Sequence, residues 1–190
     1  MRLTTDRSII FKNRNSIINM YQANLARAIS LYQDTINRSP YVGKVVLTPP
    51  NYKSLVDSYI GGDPYVYIVA LLHDNNAPIG STLSYISKNN MKYIAEIYIV
   101  RPLRRQGLGK ALLHRTISLL KQDNNPYPIT LSVPINNGPA IRLYSRYNFI
   151  KRSDIGYNPR IQHWQEFANE PIPPGYVRVA QRMQLQEAAT

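Results

Sequence analysis

The chain has 190 residues, enough for one domain with a sizeable buried core. Its 23 lysines and arginines outnumber 11 acidic residues and give a formal net charge of +12, which suits an acidic ligand or nucleic acid unless it serves solubility alone. It has no cysteine and three histidines, which excludes disulfides, thiolate zinc sites and a cysteine nucleophile and disfavours a histidine metal site.

The first predicted elements are a short strand and a long helix. Two segments compete for the strand, Arg2 to Thr5 and Ile9 to Phe11. Apolar residues then recur at helical spacing, and Asn15 or Ser16 can cap the resulting helix, which ends near Arg38. The residues predicted to face inward are Ile17, Ile18, Tyr21, Leu25, Ile29, Tyr32 and Ile36.

A second helix is predicted to begin near Asn51, directly after two prolines. The pair Gly61-Gly62 ends it, because glycine favours the position that follows a helix. The residues predicted to face inward are Tyr52, Leu55, Val56 and Tyr59.

Three strands are predicted next. The nearly continuous apolar run from Pro64 to His73 is typical of a buried strand. Turn-forming residues follow it, and Ile79 to Ile86 forms the return strand. After a turn at Lys88 to Asn90, the β-branched and aromatic stretch from Tyr93 to Val100 forms the third. The three strands therefore form an antiparallel meander.

The most informative stretch joins the last meander strand to a helix that runs from Leu108 to Leu120. Two glycines, Gly107 and Gly109, allow a ligand to approach the backbone there. The N–H groups from Gln106 to Lys110 lie where a helix begins and lack intrahelical partners, which makes an anion site. Arg104, Arg105 and Lys110 add positive charge. The sequence therefore predicts a turn that binds pyrophosphate, with a spacing that matches neither the P-loop nor the dinucleotide fingerprint.

Three strands and one helix are predicted after the central helix. Ile129 to Val133 is a strand, and Ala140 to Tyr147 is a helix with Asn137 as its N-cap. Asn148 ends that helix, because asparagine tolerates the left-handed conformation. A strand begins at Phe149, and Tyr176 to Leu185 forms the last one.

The polar segment from Ser153 to Gly175 is predicted to be an insertion within a single domain that spans residues 1–190. It can contain a short helix around Arg160 to Asn169. Segments of this length in compact domains are usually functional or mobile. The segment contains Tyr157, His163, Trp164 and Phe167. Trp164, with His163 and Phe167, either covers an acceptor site or forms a patch that packs on the sheet edge or makes a dimer contact.

Two motifs that follow each other along the chain resemble those of the GCN5-related N-acetyltransferase (GNAT) superfamily. Arg104, Gly107 and Gly109 match its R-x-x-G-x-G motif. The second motif, N-x-x-A-x-x-[LF]-Y-x-x-x-G-F, is matched by Asn137, Ala140, Leu143, Tyr144 and Phe149. The one departure is Asn148 in place of glycine, which the left-handed cap explains. The resemblance covers nearly the whole chain outside residues 153–175.

The resemblance implies an α/β (α+β) fold with a mixed, mostly antiparallel sheet of six to seven strands and helices on both faces. It implies acetyl-coenzyme A as cofactor, and no metal. The pyrophosphate would lie in the glycine turn, and the pantetheine arm would pair with strand four where strands four and five splay apart. The cofactor-binding residues it implies are Ile97, Ile99, Val100, Arg104, Arg105, Gln106, Gly107, Leu108, Gly109, Lys110, Asn137 and Tyr144.

The resemblance also implies catalytic roles. Tyr144 is the general acid that protonates the departing sulfur. Glu96 on strand four is one candidate for the general base, acting through a water, and the strand register decides whether it faces the cleft. Tyr93 is the other, since some protein N-terminal acetyltransferases use a tyrosine there together with a histidine on strand five. Ser132 stands in the place of that histidine, which puts this mechanism in doubt.

The predicted function is acetyl transfer to an amine on a small molecule, a protein or a peptide, by direct attack in a ternary complex. The basic charge disfavours a polyamine or aminoglycoside acceptor, which needs a carboxylate-lined pocket. The competing hypothesis is a nucleic-acid- or ribosome-associated module, and a tRNA-bound amino acid as acceptor would combine both. No long apolar run or signal-peptide core is present, so a cytoplasmic protein without membrane contact is expected, as monomer or homodimer.

Overall fold

The computed structural model describes residues 1–4, 13–39, 54, 56–58, 61 and 65–186. The chain divides into two compact units, one formed by Met1–Leu25 with Pro50–Ile129 and the other by Ala26–Pro49 with Thr130–Thr190. In chain order, the elements are β1 (Arg2–Thr4), α1 (Arg14–Asn37), β2 (Val66–Leu72), β3 (Pro78–Ile86), β4 (Lys92–Ile99), a 3-10 turn (Arg101–Leu103), α2 (Leu108–Gln122), β5 (Ile129–Pro134), α3 (Gly138–Ser145), β6 (Phe149–Asn158), β7 (His163–Phe167) and β8 (Val177–Leu185).

The mixed α/β fold with mostly antiparallel strands is confirmed. In the first unit the strand order is β1-β2-β3-β4, and in the second it is β5-β8-β6-β7, with antiparallel neighbours in both. The described residues form eight strands, slightly more than the predicted six to seven. Within the described part of the chain, every helix is too short or too polar to cross a lipid bilayer.

The N-terminal strand and first helix are confirmed, with one correction at the helix start. Arg2–Thr4 pairs with β2, whereas Ile9 to Phe11 lies outside the described residues. The predicted cap at Asn15 or Ser16 is wrong, because α1 already begins at Arg14. Two contacts account for the earlier start: the Ile17 N–H donates to the Asn13 carbonyl at 3.0 Å, and Arg14 pairs with Asp57.

The predicted second helix lies largely outside the described residues, including Tyr52, Leu55 and Tyr59. Residues 56–58 are helical and Val56 is buried, as predicted. The Gly61 N–H donates to the Asp57 carbonyl at 2.8 Å, which is the contact expected where a helix ends.

Helices pack on both faces of the sheet in the first unit. Successive residues of a strand point to opposite faces, and β2 is buried on both. The cluster on the α1 face includes Ile17, Tyr21, Val56, Ile68 and Leu83. The cluster on the α2 face consists of Val69, Leu71, Ile79, Ile99 and Leu112. This burial explains the continuous apolar run along β2.

A β-bulge interrupts β4. Leu83 of β3 lies opposite Glu96, and the next residue, Ser84, lies opposite Ile94, so Ala95 is the extra residue. A bulge shifts the side-chain alternation by one position. Ala95 therefore packs against the α1-face cluster, as do Tyr98 and Val100 two and four residues beyond Glu96.

The predicted helix around Arg160 to Asn169 is wrong. β6 continues to Asn158, and β7 pairs back on it with Trp164 opposite Tyr157 and Phe167 opposite Asp154. Gln162 takes a left-handed conformation with φ of 51° in the connecting turn. The segment is polar because β7 is an edge strand with one neighbour, so most of its residues are exposed.

Candidate functional site

The turn between β4 and α2 has the backbone geometry of an anion site. Arg105 and Gly107 are left-handed, with φ of 69° and 82°, and Gly107 is the N-cap of α2 without a capping side chain. Left-handed residues in such a turn bring successive N–H groups together, and the first N–H groups of a helix have no intrahelical partner. A Cβ added to Gly107 would meet no atom within 4 Å, so the space in front of the helix is open. This geometry fits a pyrophosphate.

The predicted cations of this turn differ in placement. The Arg104 Nε donates to the Ile99 carbonyl at 2.8 Å, and its guanidinium carbon lies 5.3 Å from the centre of the Tyr98 ring. Arg104 therefore ties the turn to the end of β4. Arg105 and Lys110 are exposed, as is Gln106. Leu108 packs with the α2-face cluster and anchors the first turn of the helix.

The backbone of β4 presents alternate peptide groups to its two sides. The Val100 N–H donates to the Ile79 carbonyl at 2.9 Å, so Val100 faces β3. In an antiparallel pair, hydrogen-bonded and non-hydrogen-bonded residues alternate. Ile97 and Ile99 therefore turn their N–H and C=O groups away from β3. The predicted pantetheine-binding residues in and directly after β4 are Ile97, Ile99 and Val100. Ile97 and Ile99 have backbone groups that face away from β3, whereas the Val100 N–H faces β3.

Tyr93 and Glu96 lie on the same face of β4. Tyr93 is opposite Tyr85, and the two ring centres are 5.5 Å apart. Glu96 is opposite Leu83, a member of the α1-face cluster, and is only 7% exposed. The register question left open by the sequence is thus decided for Glu96: it faces α1.

Two residues of α1 surround the Glu96 carboxylate. The Asn24 Nδ2 donates to the Glu96 Oε2. Burial raises the pKa of Tyr21 well above its ordinary value; a hydrogen bond with Ser81 opposes this, and the negative charge of Glu96 adds to it. Asn24 was not among the predicted site residues, although a polar residue three positions after the inward-facing Tyr21 was an available signal.

The Lys92 side chain binds carbonyl groups at and just after the C-terminal end of α2. This contact was not predicted from the sequence. The side chain is 3% exposed, and its Nζ donates to the carbonyls of Leu120, Asp123 and Asn125 at 2.7, 3.0 and 2.7 Å. A cation at the negative end of a helix satisfies the last carbonyls. No local sequence signal connects Lys92 to residues about 30 positions later.

Asp123 is held by a further contact. The Tyr67 hydroxyl donates to its Oδ2 at 2.5 Å, and this hydrogen bond keeps the pKa of Asp123 below its ordinary value. Burial and the interaction with Asp123 raise the pKa of Tyr67. Tyr67 and Lys92 thus secure the end of α2 from two strands, while its beginning stays open.

The second motif forms the predicted helix, but α3 begins and ends two residues earlier than the predicted Ala140 to Tyr147 and has no side-chain cap. Asn137 occupies the N-cap position of α3, but its side chain makes no capping bond; its carbonyl accepts the Ile141 N–H at 3.0 Å. Asn148 is left-handed with φ of 61°, which confirms the reason for asparagine there. Tyr144 is half-buried on α3, and its ring centre lies 6.0 Å from that of Phe149.

The other predicted residues occupy varied positions. Ser132 lies half-buried on β5 opposite Arg182 of β8, and His114 is exposed on α2. Trp164, 42% exposed, contacts the rings of Tyr157 and Tyr32 at 4.5 and 5.9 Å between centres. His163 and Phe167 instead contact Tyr176. The three aromatic residues therefore do not form one patch, because β7 turns them to alternate faces. Within the ranges that the structure describes, no cluster of His, Cys, Asp or Glu could hold a metal.

Comparison with known proteins shows that residues 27–149 match the model of the Acetyltransferase (GNAT) family. A stretch of 100 residues is 29% identical to an N-alpha-acetyltransferase of Saccharolobus solfataricus and covers 53% of this chain and 56% of that protein. The chain spans between 34% and 56% of the length of the curated relatives that it matches.

Solved structures share the fold. A spermidine N-acetyltransferase chimera from Vibrio cholerae and hSSAT superimposes with a TM-score of 0.57 at 16% identity, over 97% of this chain and 93% of that one. A Bacillus subtilis acetyltransferase in complex with CoA superimposes with a TM-score of 0.53 at 18% identity, over 72% and 84%. At these identities the likeness concerns the fold alone.

Proposed function

Because the chain belongs to the GNAT family of acetyltransferases, whose general reaction uses acetyl-coenzyme A and an amine, we propose that it acetylates the α-amine of a protein or peptide. The acceptor class is supported by the archaeal relative, which is an N-alpha-acetyltransferase. The direct attack of the amine in a ternary complex belongs to the same proposal.

The observation that carries the proposal is the open turn before α2. Gly107 is left-handed, and its Cβ direction is empty, so backbone N–H groups are the atoms that a ligand meets first. A diphosphate suits this place because it carries negative charge and several acceptor oxygens. The exposed Arg105 and Lys110 add attraction for phosphate groups.

The other contacts follow along β4. Bound acetyl-coenzyme A would supply an acetyl thioester. The outward peptide groups of Ile97 and Ile99 would pair with the amides of its arm, and Val100 would contact it by its side chain. Asn137 and Tyr144 are the further contacts that the second motif proposes.

Two side chains would move the protons. The acceptor loses two protons as its ammonium becomes an amide. Glu96 accepts the first, through a water, so that the amine is neutral when it attacks. The Tyr144 hydroxyl gives its proton to the departing sulfur, and the second amine proton restores it. The net result is one acetyl group transferred and one proton released.

The test uses the wild-type protein with acetyl-coenzyme A and two matched peptides. One has a free α-amine, and the other has a blocked N-terminus and an internal lysine. We expect mass spectrometry to find the acetyl group on the first peptide only, and calorimetry to detect coenzyme A binding at micromolar concentrations. Absence of binding would reject the proposal; acetylation of lysine alone would correct the acceptor.

Charge distribution favours a second candidate, a module that binds nucleic acid, with or without catalysis on a tRNA-bound amino acid. From Ile97 to Ser153 the only acidic residue is Asp123. Binding of RNA through phosphate contacts weakens steeply with salt, so an affinity that falls linearly on a log–log salt plot would support it. If the protein binds coenzyme A but not RNA, this second candidate is wrong and the basic charge serves cofactor binding and solubility.

A further inference from the structure

The candidate base is held by a side chain from a different element. Asn24 lies on α1 and Glu96 on β4, and the Asn24 Nδ2 donates to the Glu96 Oε2. An ionised carboxylate only accepts hydrogen bonds, so the asparagine must present its NH2 group to it. The contact therefore has one chemically consistent orientation.

The surroundings make this contact consequential. Glu96 is 7% exposed. Tyr21, which lies one turn before Asn24 on α1, is fully buried. A hydrogen bond to a charged group in such surroundings is stronger than one in water, and the loss of one partner is costly. The hydrogen bond to one oxygen restricts the rotation of the carboxylate plane. A carboxylate can accept several hydrogen bonds, so it can still accept others.

We propose that Asn24 is a positioning residue for acetyl transfer, which orients Glu96 and keeps its carboxylate ionised so that it can accept the amine proton. The role rests on the proposed function, because it assigns Glu96 as the base. Asn24 does not touch the acceptor in this scheme; it acts through Glu96. The pairing of Glu96 with Leu83 places it on the α1 face, where this contact forms.

Among the residues that the structure describes, four phenols lie on this side of the sheet. They are Tyr21 on α1, Tyr85 on β3, and Tyr93 and Tyr98 on β4. Two described cations have partners of their own, since Arg104 bonds to the Ile99 carbonyl and Arg14 pairs with Asp57. The Asn24 amide is a polar contact through which α1 favours the charged form of Glu96.

The test compares Asn24→Leu, which keeps the volume but removes the donor, with Asn24→Gln, which keeps an amide. The control is Asn19→Leu, an exposed asparagine on the same helix. In Asn24→Leu we expect kcat/KM at neutral pH to fall about ten- to hundredfold, mainly in kcat. We also expect the acidic limb of its pH profile to move to higher pH. Asn24→Gln should recover part of the loss, and Asn19→Leu should match wild type.

A second measurement needs no turnover. Carbon-13 NMR of labelled glutamate, assigned with Glu96→Gln, follows the titration of the Glu96 carboxyl. Its midpoint should move to higher pH in Asn24→Leu and stay unchanged in Asn19→Leu. If wild type transfers acetyl groups but neither pH profile nor midpoint moves in Asn24→Leu, the role of Asn24 is wrong and the proposed function stands. If wild type transfers none, the proposed function fails and the catalytic role with it, while the midpoint still reports whether the contact exists.

Discussion

Tyr93 and Glu96 lie on the same face of β4 although they are three residues apart. On β3, their partners Tyr85 and Leu83 are two apart, and the bulge at Ala95 accounts for the difference. In a regular strand an odd spacing places two side chains on opposite faces. The bulge therefore brings both candidate bases to the side where α1 packs, and there Asn24 of α1 donates to Glu96.

The two candidates are separated by a pair of substitutions. Glu96→Gln keeps the shape and removes the proton acceptor, so we expect kcat/KM to fall at least about a hundredfold. Tyr93→Phe keeps the ring contact with Tyr85 and should stay within a few-fold of wild type. Steady-state kinetics with a free α-amine peptide measures both. The reverse order of effects would transfer the role of base to Tyr93.

Gly107 is expected to be required for coenzyme A affinity. Gly107→Ala places a Cβ in the open space before α2 and strains a left-handed residue by about 1–2 kcal/mol. Gly175→Ala is the control, since its φ of 92° gives a comparable backbone strain, although its Cβ would also lie 3.2 Å from the Asn158 Nδ2. Calorimetry should show weaker coenzyme A binding for the first variant only. Equal affinities in the two variants would mean that the turn does not bind the diphosphate.

Tyr144→Phe removes the proposed acid and keeps the ring that contacts Phe149. We expect turnover to fall at least about tenfold while the affinity for coenzyme A changes little, because the hydroxyl acts when the sulfur departs. Tyr147→Phe, three residues later, serves as the control. Comparison of kcat with the calorimetric Kd decides the matter, and unchanged turnover would remove Tyr144 from this role.

Lys92→Met should destabilise the protein without touching the proposed chemistry. The methionine fills the space but leaves the carbonyls of Leu120, Asp123 and Asn125 without the ammonium group. We expect the free energy of unfolding to fall by about 3 kcal/mol in urea titrations. Lys88→Met, an exposed lysine in a nearby turn, should change it little. Equal stability of the two variants would show that the Lys92 contacts contribute little.

Asp123 predicts a pH dependence of stability. Its folded-state pKa lies below the ordinary value of 3.8, chiefly because Tyr67 donates to it. As the pH falls, Asp123 therefore takes up its proton in the unfolded chain first. The contribution of its ionised form to the free energy of unfolding is complete above pH ~4, and it is lost as the pH falls through the lower folded-state pKa. Urea titrations should show a stability gap between wild type and Asp123→Asn at neutral pH that shrinks in acid. When both proteins also carry Tyr67→Phe, this stability gap should shrink less in acid. If the gap depends on pH equally with and without Tyr67→Phe, the Tyr67 contact is not the cause of the pH dependence.

Local sequence patterns were sufficient for several helices and strands. The apolar spacing predicted α1 and α2, the continuous apolar run predicted β2, and the asparagine after the last helix predicted the left-handed conformation of Asn148. These predictions succeeded because each depends on residues within a few positions of one another.

Only the tertiary structure decided which way Glu96 faces, what caps α2 and where the chain after Ser153 goes. The bulge at Ala95 is visible only against the register of β3, the Lys92 cap joins residues about 30 positions apart, and β7 is a strand because it pairs with β6. Each of these depends on a partner distant in sequence. A pattern read along one chain segment contains no information on that partner, because register and capping are set when the elements pack.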